Sequence, residues 1–244
     1  MLPRRQTQLL SAFTATPDPV YTESGGGVTV SVTAVRPPPS SAPPDKGIRP
    51  RRWTRREYHR AAELGLFRPE ERLELLDGEI IQKMAPGGPH AAVVSRADRI
   101  LAGAFGPGHH TRIQQPLILT NWSEPEPDVV VVPGTEFDYL PDHPKAADAR
   151  LVVEVSDTTL RLDRGRKQAA CARSGVREYW IINLLHRQVE VFRDPSGSRY
   201  RNVTVYSEQG VITPLTAPNV SVRISDLLPP ATLPSGGTRI PANG

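Results

Sequence analysis

The stretch Leu151-Val-Val-Glu-Val-Ser-Asp157 constrains the fold more than any other. Four of its first five residues are aliphatic and three of those are valine, the pattern of a strand covered on both faces. Glu154 sits in the middle of it. A carboxylate there costs several kcal/mol unless a partner compensates it. A buried acid is kept for a cation, a metal or a catalytic role, and a fold built on this strand has to supply one of the three.

The chain of 244 residues is 38% hydrophobic and 23% charged, enough for one well-cored domain with tails. Residues 1–50, with Gly25-Gly-Gly27 and Pro37-Pro-Pro-Ser-Ser-Ala-Pro-Pro44, carry few large apolar side chains and are expected to form a disordered tail. Val28 to Val35 could make a short strand but has no evident partner. The domain is expected over 51–228, and residues 229–244 form a second Pro/Gly/Ser tail. The formal net charge of +4 is compatible with a polyanionic partner without demanding one. The single cysteine, Cys171, excludes an internal disulfide framework and a cysteine-built zinc site. No apolar run approaches the ~18 residues of a membrane span. Arg4 and Arg5 precede only a short, interrupted apolar run, so no signal peptide is expected. A soluble, cytoplasmic protein follows as the expectation.

Along the domain, Thr54-Arg-Arg-Glu57 fits a capping box that opens a helix running to about Leu64, with Gly65 as its stop. The arginines around it (Arg49, Arg51, Arg52, Arg55, Arg56, Arg60) suit either a phosphate-contacting arm or a solvated face, and charge runs favour the second. Asp77-Gly78 inside Leu73 to Ile81 signals a hairpin. His90 to Phe105 has apolar residues at helical spacing. Strands are expected over Gln115–Leu119, Asp128–Val132 and Leu151–Ser156, and His109-His110 as loop. A helix follows over Leu160–Arg173 and a strand over Glu178–Ile182. That succession makes a right-handed parallel crossover. Gln188–Phe192 and Tyr200–Tyr206 form a hairpin around Asp194-Pro-Ser-Gly197, and Val220–Leu228 adds a last short element. The fold class is α/β with a mixed sheet.

Asp128 follows Pro127, which cannot donate a ladder hydrogen bond, so the strand begins there. If this strand and the Glu154 strand are antiparallel neighbours, the two carboxylates converge. Like charges that close repel unless a cation lies between them, and a hard divalent ion with oxygen ligands resolves the conflict. Asp163, Arg166 and Lys167 lie about one turn apart on the next helix, so Lys167 could aim at an attacking water or a charged phosphoryl oxygen. Two carboxylates, a metal and a lysine form a workable set for phosphodiester hydrolysis.

Ser123-Glu-Pro-Glu-Pro-Asp-Val-Val-Val-Val132, Leu151-Val-Val-Glu-Val-Ser-Asp-Thr-Thr159, Lys167 and Gly175-Val-Arg-Glu-Tyr-Trp-Ile-Ile182 resemble the Uma-two-type restriction endonuclease family of the PD-(D/E)XK nuclease superfamily. Leu73-Glu-Leu-Leu-Asp-Gly-Glu-Ile80 and Pro89-His90 match as well, so the resemblance spans about Trp53 to Leu228. It implies a restriction-endonuclease-like core, with Pro127-Asp128 similar to the superfamily's "PD" and Glu154 to its "(D/E)" position. Ser156 stands where the motif would put lysine, and Lys167 fits a relocation of that lysine to the helix. The resemblance implies Asp128, Glu154 and Lys167 as catalytic residues, with Asp128 and Glu154 binding Mg²⁺ or Mn²⁺. Glu74 is implied as a further ligand or water-binding group, ahead of Glu79, and His90 as an additional candidate that otherwise reads as a structural residue of the helix start. The implied partner is nucleic acid, DNA first, and a homodimer is left open. The alternative is a non-catalytic scaffold that binds nucleic acid or protein and retains the nuclease fold.

Overall fold

The computed structural model describes residues 21–24, 27–30 and 49–231. Its frame is an eight-stranded mixed sheet. The strands are β1 (Tyr21–Ser24), β2 (Gly27–Val30), β5 (His109–Ile113), β6 (Val129–Pro133), β7 (Leu151–Ser156), β8 (Glu178–Asn183), β9 (Gln188–Ser196) and β10 (Arg199–Ser207), in the order β1-β2-β10-β9-β8-β7-β6-β5. Neighbours pair antiparallel except β7 and β8, which are parallel. Two hairpins lie outside the sheet: β3 (Arg72–Leu76) with β4 (Glu79–Lys83), and β11 (Val211–Ile212) with β12 (Val222–Arg223). The helices are α1 (Arg55–Glu63), α2 (Gly88–Phe105), α3 (Leu160–Leu162), α4 (Gln168–Arg173) and α5 (Ile224–Leu227). A π turn, Asp163–Lys167, joins α3 to α4 without a break.

β7 is buried at all six positions, as its aliphatic run requires. Alternation along the strands divides the core into two clusters. Val129, Val131, Val153, Val155, Trp180 and Ile182 pack with Val94, Ala97 and Leu101 of α2. Val130, Val132, Val152, Tyr179 and Ile181 pack with Ala170, Cys171 and Ala172 of α4. Each large apolar side chain fully buried this way contributes roughly 1.5–3 kcal/mol. Glu154 shares the parity of Val152, so it belongs to the face that the α3–α4 run covers.

Local signals explain the smaller elements. Thr54 and Glu57 form the expected capping box, and α1 gives way at Leu64 to Gly65, whose φ of 69° suits glycine. Asp77 (φ 54°) and Gly78 (φ 79°) make the hairpin turn. A Cβ on Gly78 would lie 2.5 Å from the Cβ of Arg52, so close approach as well as conformation selects glycine. Arg55 and His59 on α1 both bond the buried carboxylate of Glu124, which locks the helix onto the body. Arg51 pairs with Glu57 and Arg60 with Glu63. Arg51, Arg55 and Arg60 are thus paired with carboxylates.

Several expectations need correction. The strand foreseen at Gln115–Leu119 is irregular chain with an isolated bridge at Ile118, and the edge strand is instead His109–Ile113, its first two residues foreseen as loop. The polar sequence of β5 hides it: Arg112 is its most buried residue, facing Tyr139 and His143 rather than an apolar layer. The last large hairpin turns at Gly197-Ser198, at the end of the expected turn, and Asp194 (φ 60°), Pro195 and Ser196 continue the strand. Two strands also occur inside the stretch 1–50. β2 pairs with β10 through Thr29↔Thr204 and Val28↔Val205, a partner far along the chain that local patterning cannot reveal. The remainder of 1–48 and residues 232–244 lie outside the described residues. No described helix is long and apolar enough to cross a membrane.

Candidate active site

β6 and β7 are antiparallel with Val129 opposite Val153, so the next step of the register brings Asp128 level with Glu154. Both acids line one cavity of ≈ 310 Å³, together with Glu74, Lys83, His90, Gln114, Asp163 and Lys167. The three residues expected to be catalytic therefore converge. They come from three elements: the mouth of β6, the middle of β7 and the π turn.

Lys167 is the hub. It is only 4% exposed, and its Nζ donates to Glu154 Oε1 at 3.0 Å and lies 3.5 Å from Glu74 Oε2. Burial alone would lower its pKa, but Glu154, Glu74, Asp163 and Asp128 outweigh that and hold it well above the lysine range, as a cation. Burial pushes Glu154 up to about 8 against the pull of Lys167, with Asp163 and Asp128 adding to the rise. The π turn carries one more residue per turn than an α-helix, and such turns concentrate at functional sites. Here it lets Asp163 and Lys167, both buried, face inward together. Asp163 is anchored by the hydroxyls of Ser156 (2.7 Å) and Thr159 (2.6 Å). Ser156, at the position where the motif puts lysine, thus fastens the helix that carries the lysine instead.

Asp128 is held from three sides. Gln114 Nε2 donates to Oδ1 at 3.0 Å, the Val155 amide donates to Oδ2 at 2.9 Å, and His90 Nε2 lies 3.2 Å from Oδ2. Burial pushes the acid up, yet His90, Gln114 and the Val155 amide bring it down to about 2. The hydrogen bond to Asp128 in turn raises His90 above the ordinary histidine value, against burial. His90 is therefore a partner of Asp128, which gives it a role at the site beyond the helix start.

Glu74 on β3 is fully buried. Its Oε2 accepts the Glu126 amide at 3.1 Å, while its Oε1 is buried without a hydrogen-bond partner. Glu79 is exposed and pairs with Arg166 at 2.8 Å, so neither lines the cavity. Three lining residues were missed or left unassigned by the sequence. Asp163 carried a signal, its spacing of four from Lys167. Lys83, at the end of a hairpin strand, and Gln114, one of two adjacent glutamines, carried none. Gln114 adopts φ 49°, and this turn after β5 aims its amide at Asp128.

The family model "Uma2: Putative restriction endonuclease" matches residues 55–225. The chain belongs to the Uma2 family. The match covers the domain from α1 to α5, including every residue that lines the cavity. Among solved structures, the Uma2-family chain is similar to "a putative nuclease belonging to DUF820" from Anabaena variabilis ATCC 29413. The TM-score is 0.53 and the identity 20%, over 71% of this chain and 96% of the other. That likeness establishes the shared fold. No curated protein matches the chain.

Whether this Uma2-family site suits a metal is tested by its donors. Among the described residues no three His, Cys, Asp or Glu side chains group closely enough to form a metal cage. The cavity instead offers the hard carboxylate oxygens of Asp128 and Glu154, and one buried oxygen, Glu74 Oε1, with nothing bonded to it. One or two carboxylates completed by water and phosphate oxygens is the set Mg²⁺ takes. The residues fit that group.

Proposed function

We propose that this Uma2-family chain is a divalent-metal-dependent endonuclease that hydrolyses phosphodiester bonds, with DNA as its substrate. The observation that carries the reading is the meeting of Asp128, Glu154 and Lys167 in one cavity lined also by Glu74. Asp128 and Glu154 would hold Mg²⁺ or Mn²⁺, which when bound supplies Lewis-acid polarisation of the phosphoryl group and a more acidic water.

The chain's own residues do the rest. Asp128 is preset: Gln114 and the Val155 amide fix its plane, and it is ionised at any pH above about 2. His90 holds the same carboxylate from the α2 side, and hydrogen-bonding partners of this kind orient ligating groups. Lys167 stays charged and has three N–H donors, of which Glu154 takes one at 3.0 Å. Another donor can meet a phosphoryl oxygen as its charge grows, a contribution typically worth ~10²–10³ in rate. Glu74 Oε1, buried and free of donors, is an acceptor for a proton of the attacking water.

A second reading is favoured by one observation: Lys167 already pairs with both Glu154 and Glu74 within the protein. On that ground the chain would be a non-catalytic scaffold. One assay separates the two. Purified protein is incubated with supercoiled plasmid and Mg²⁺ or Mn²⁺, and nicked and linear products are followed on gels. The endonuclease reading expects cleavage by wild type and loss of at least ~10²-fold in Asp128→Ala and Lys167→Met. Equal behaviour of wild type and Asp128→Ala with both metals would leave the scaffold.

A further inference from the structure

The hairpin β3–β4 brings two cations to the cavity that the proposed chemistry does not use. Arg72 and Lys83 are direct cross-strand partners and both line the cavity. Like charges directly opposite each other destabilise a strand pair. Lys83 is partly compensated. Its Nζ donates to the Glu126 carbonyl at 2.8 Å and lies 3.6 Å from Glu74 Oε2, beyond hydrogen-bond length. Glu74 is also shared with Lys167. Of the three ammonium hydrogens of Lys83, one is used. The Arg72 guanidinium has no hydrogen bond or ion pair among the described residues, and the Glu126 carboxylate beside the two cations makes none either. The half-buried rim thus presents a guanidinium and an ammonium with unused donors next to Lys167 and Glu154. Such a pair of cations with unmet donors matches the anionic oxygens of a phosphodiester.

We propose that Arg72 and Lys83 form a second phosphate subsite, which binds the backbone phosphodiester next to the one that lies over Asp128 and Glu154. The proposal rests on the endonuclease reading for the position of the scissile phosphate, while phosphate binding itself is independent of cleavage. It makes the hairpin a ruler: substrate has to continue past the cut on the hairpin side to be held firmly.

Two measurements test it. In the first, a fluorescently labelled single-stranded oligodeoxynucleotide is titrated in EDTA, where nothing is cleaved, and anisotropy is read at several salt concentrations. Arg72→Met and Lys83→Met should each weaken binding about 5- to 20-fold near 0.1 M salt. Each should also lower the slope of log affinity against log salt by roughly 0.7, the share of one phosphate contact on a single strand. Lys83→Arg should keep wild-type binding and slope, which separates charge from folding. Melting curves of each variant report the fold directly. Unchanged affinity and slope in both methionine variants, or no oligonucleotide binding by wild type, overturns the subsite.

In the second measurement, cleavage with Mn²⁺ is compared on a long oligonucleotide and on a substrate with a single phosphodiester. Arg72→Met should raise KM for the long substrate about tenfold with kcat little changed, and should leave the single phosphodiester unaffected. An equal loss on both substrates overturns the proposal. If wild type binds with the expected salt slope and the methionine variants lose it, but nothing is cleaved, the subsite stands and the endonuclease reading falls.

Discussion

Replacing Lys167 by methionine tests the electrostatic centre of the site. The lysine is 4% exposed, Glu154 is 3% and Glu74 is 0% exposed, so no solvent screens the gap that the ammonium would leave. Removing one partner of a buried charge pair costs ~3–5 kcal/mol, because the other charge stays buried without compensation. That is a fifth or more of the ~5–15 kcal/mol that holds a typical domain together. At ~2–4 °C per kcal/mol for a domain of this size, the melting temperature should fall by roughly 6–20 °C. The loss should depend on pH in a definite direction. Burial raises Glu154 from its ordinary 4.5 to about 8 even with Lys167 in place. A carboxyl whose folded pKa lies above its unfolded value takes up a proton on folding, so its share of stability is greatest below pH 4.5 and fades as pH rises towards 8. Without Lys167 the acid rises further. The two proteins should therefore run in parallel up to about pH 7, where the acid is protonated in both, and part above pH 8, where it ionises beside the still charged Lys167 in the wild type and stays protonated in the variant. The double variant Lys167→Met/Glu154→Gln should recover part of the loss by removing the stranded charge. Urea unfolding at pH 6 and pH 9 measures all of this. A Lys167→Met protein within ~0.5 kcal/mol of wild type at pH 9, or a double variant weaker than the single one, would refute the account.

Other tests address the remaining parts of the site. Asp128 sits at about 2 when folded against an ordinary 3.8, a difference of 3.8 − 2 = 1.8 units, or about 2 kcal/mol. That stability is fully present above pH 3.8 and lost as pH falls through about 2, so acid unfolding of Asp128→Asn should lack this limb. In the same variant the His90 ring should titrate lower than in wild type, followed by its NMR shift, since Asp128 is the main cause of its raised pKa. Calorimetric titration with Mn²⁺ should give heats that vanish in Glu154→Gln and persist in Glu79→Gln, whose carboxylate pairs with Arg166 outside the cavity. Gly165 has open space where a Cβ would go, so Gly165→Ala should stabilise the helical run by about 0.5–1 kcal/mol in urea unfolding.

The legible parts of this protein were those fixed by short-range chemistry. The capping box at Thr54, the Asp77-Gly78 turn and the aliphatic β7 each announce themselves within a few residues. The pairing of Asp128 with Glu154 followed from where a proline opens a strand and where an acid interrupts another. The β5 edge was not legible because its buried member is an arginine rather than an aliphatic residue. The partner of Val28 is Val205, and no window of sequence contains both. At the site, Gln114 and Lys83 belong to the same constellation only through tertiary folding. Their residue types are common on any surface, and only a left-handed backbone at one and a cross-strand neighbour at the other aim them inward.

The π turn also determines which changes of chain length the site can survive. Upstream, Asp163 is tied to Ser156 and Thr159; downstream, Ala170, Cys171 and Ala172 are wedged into the core. Both ends of the five-residue turn are thereby clamped, and its surplus residue has nowhere to dissipate. Inserting one more residue there would rotate everything beyond it by about 100°, the angle per residue of a 3.6-residue turn. Either α4 would leave its apolar seat or Lys167 would swing out of the cavity. A single-codon insertion between Asp163 and Lys167 should therefore be tolerated less well than a conservative point substitution in the same stretch. Relatives that keep the site should keep that spacing even where the intervening residues differ.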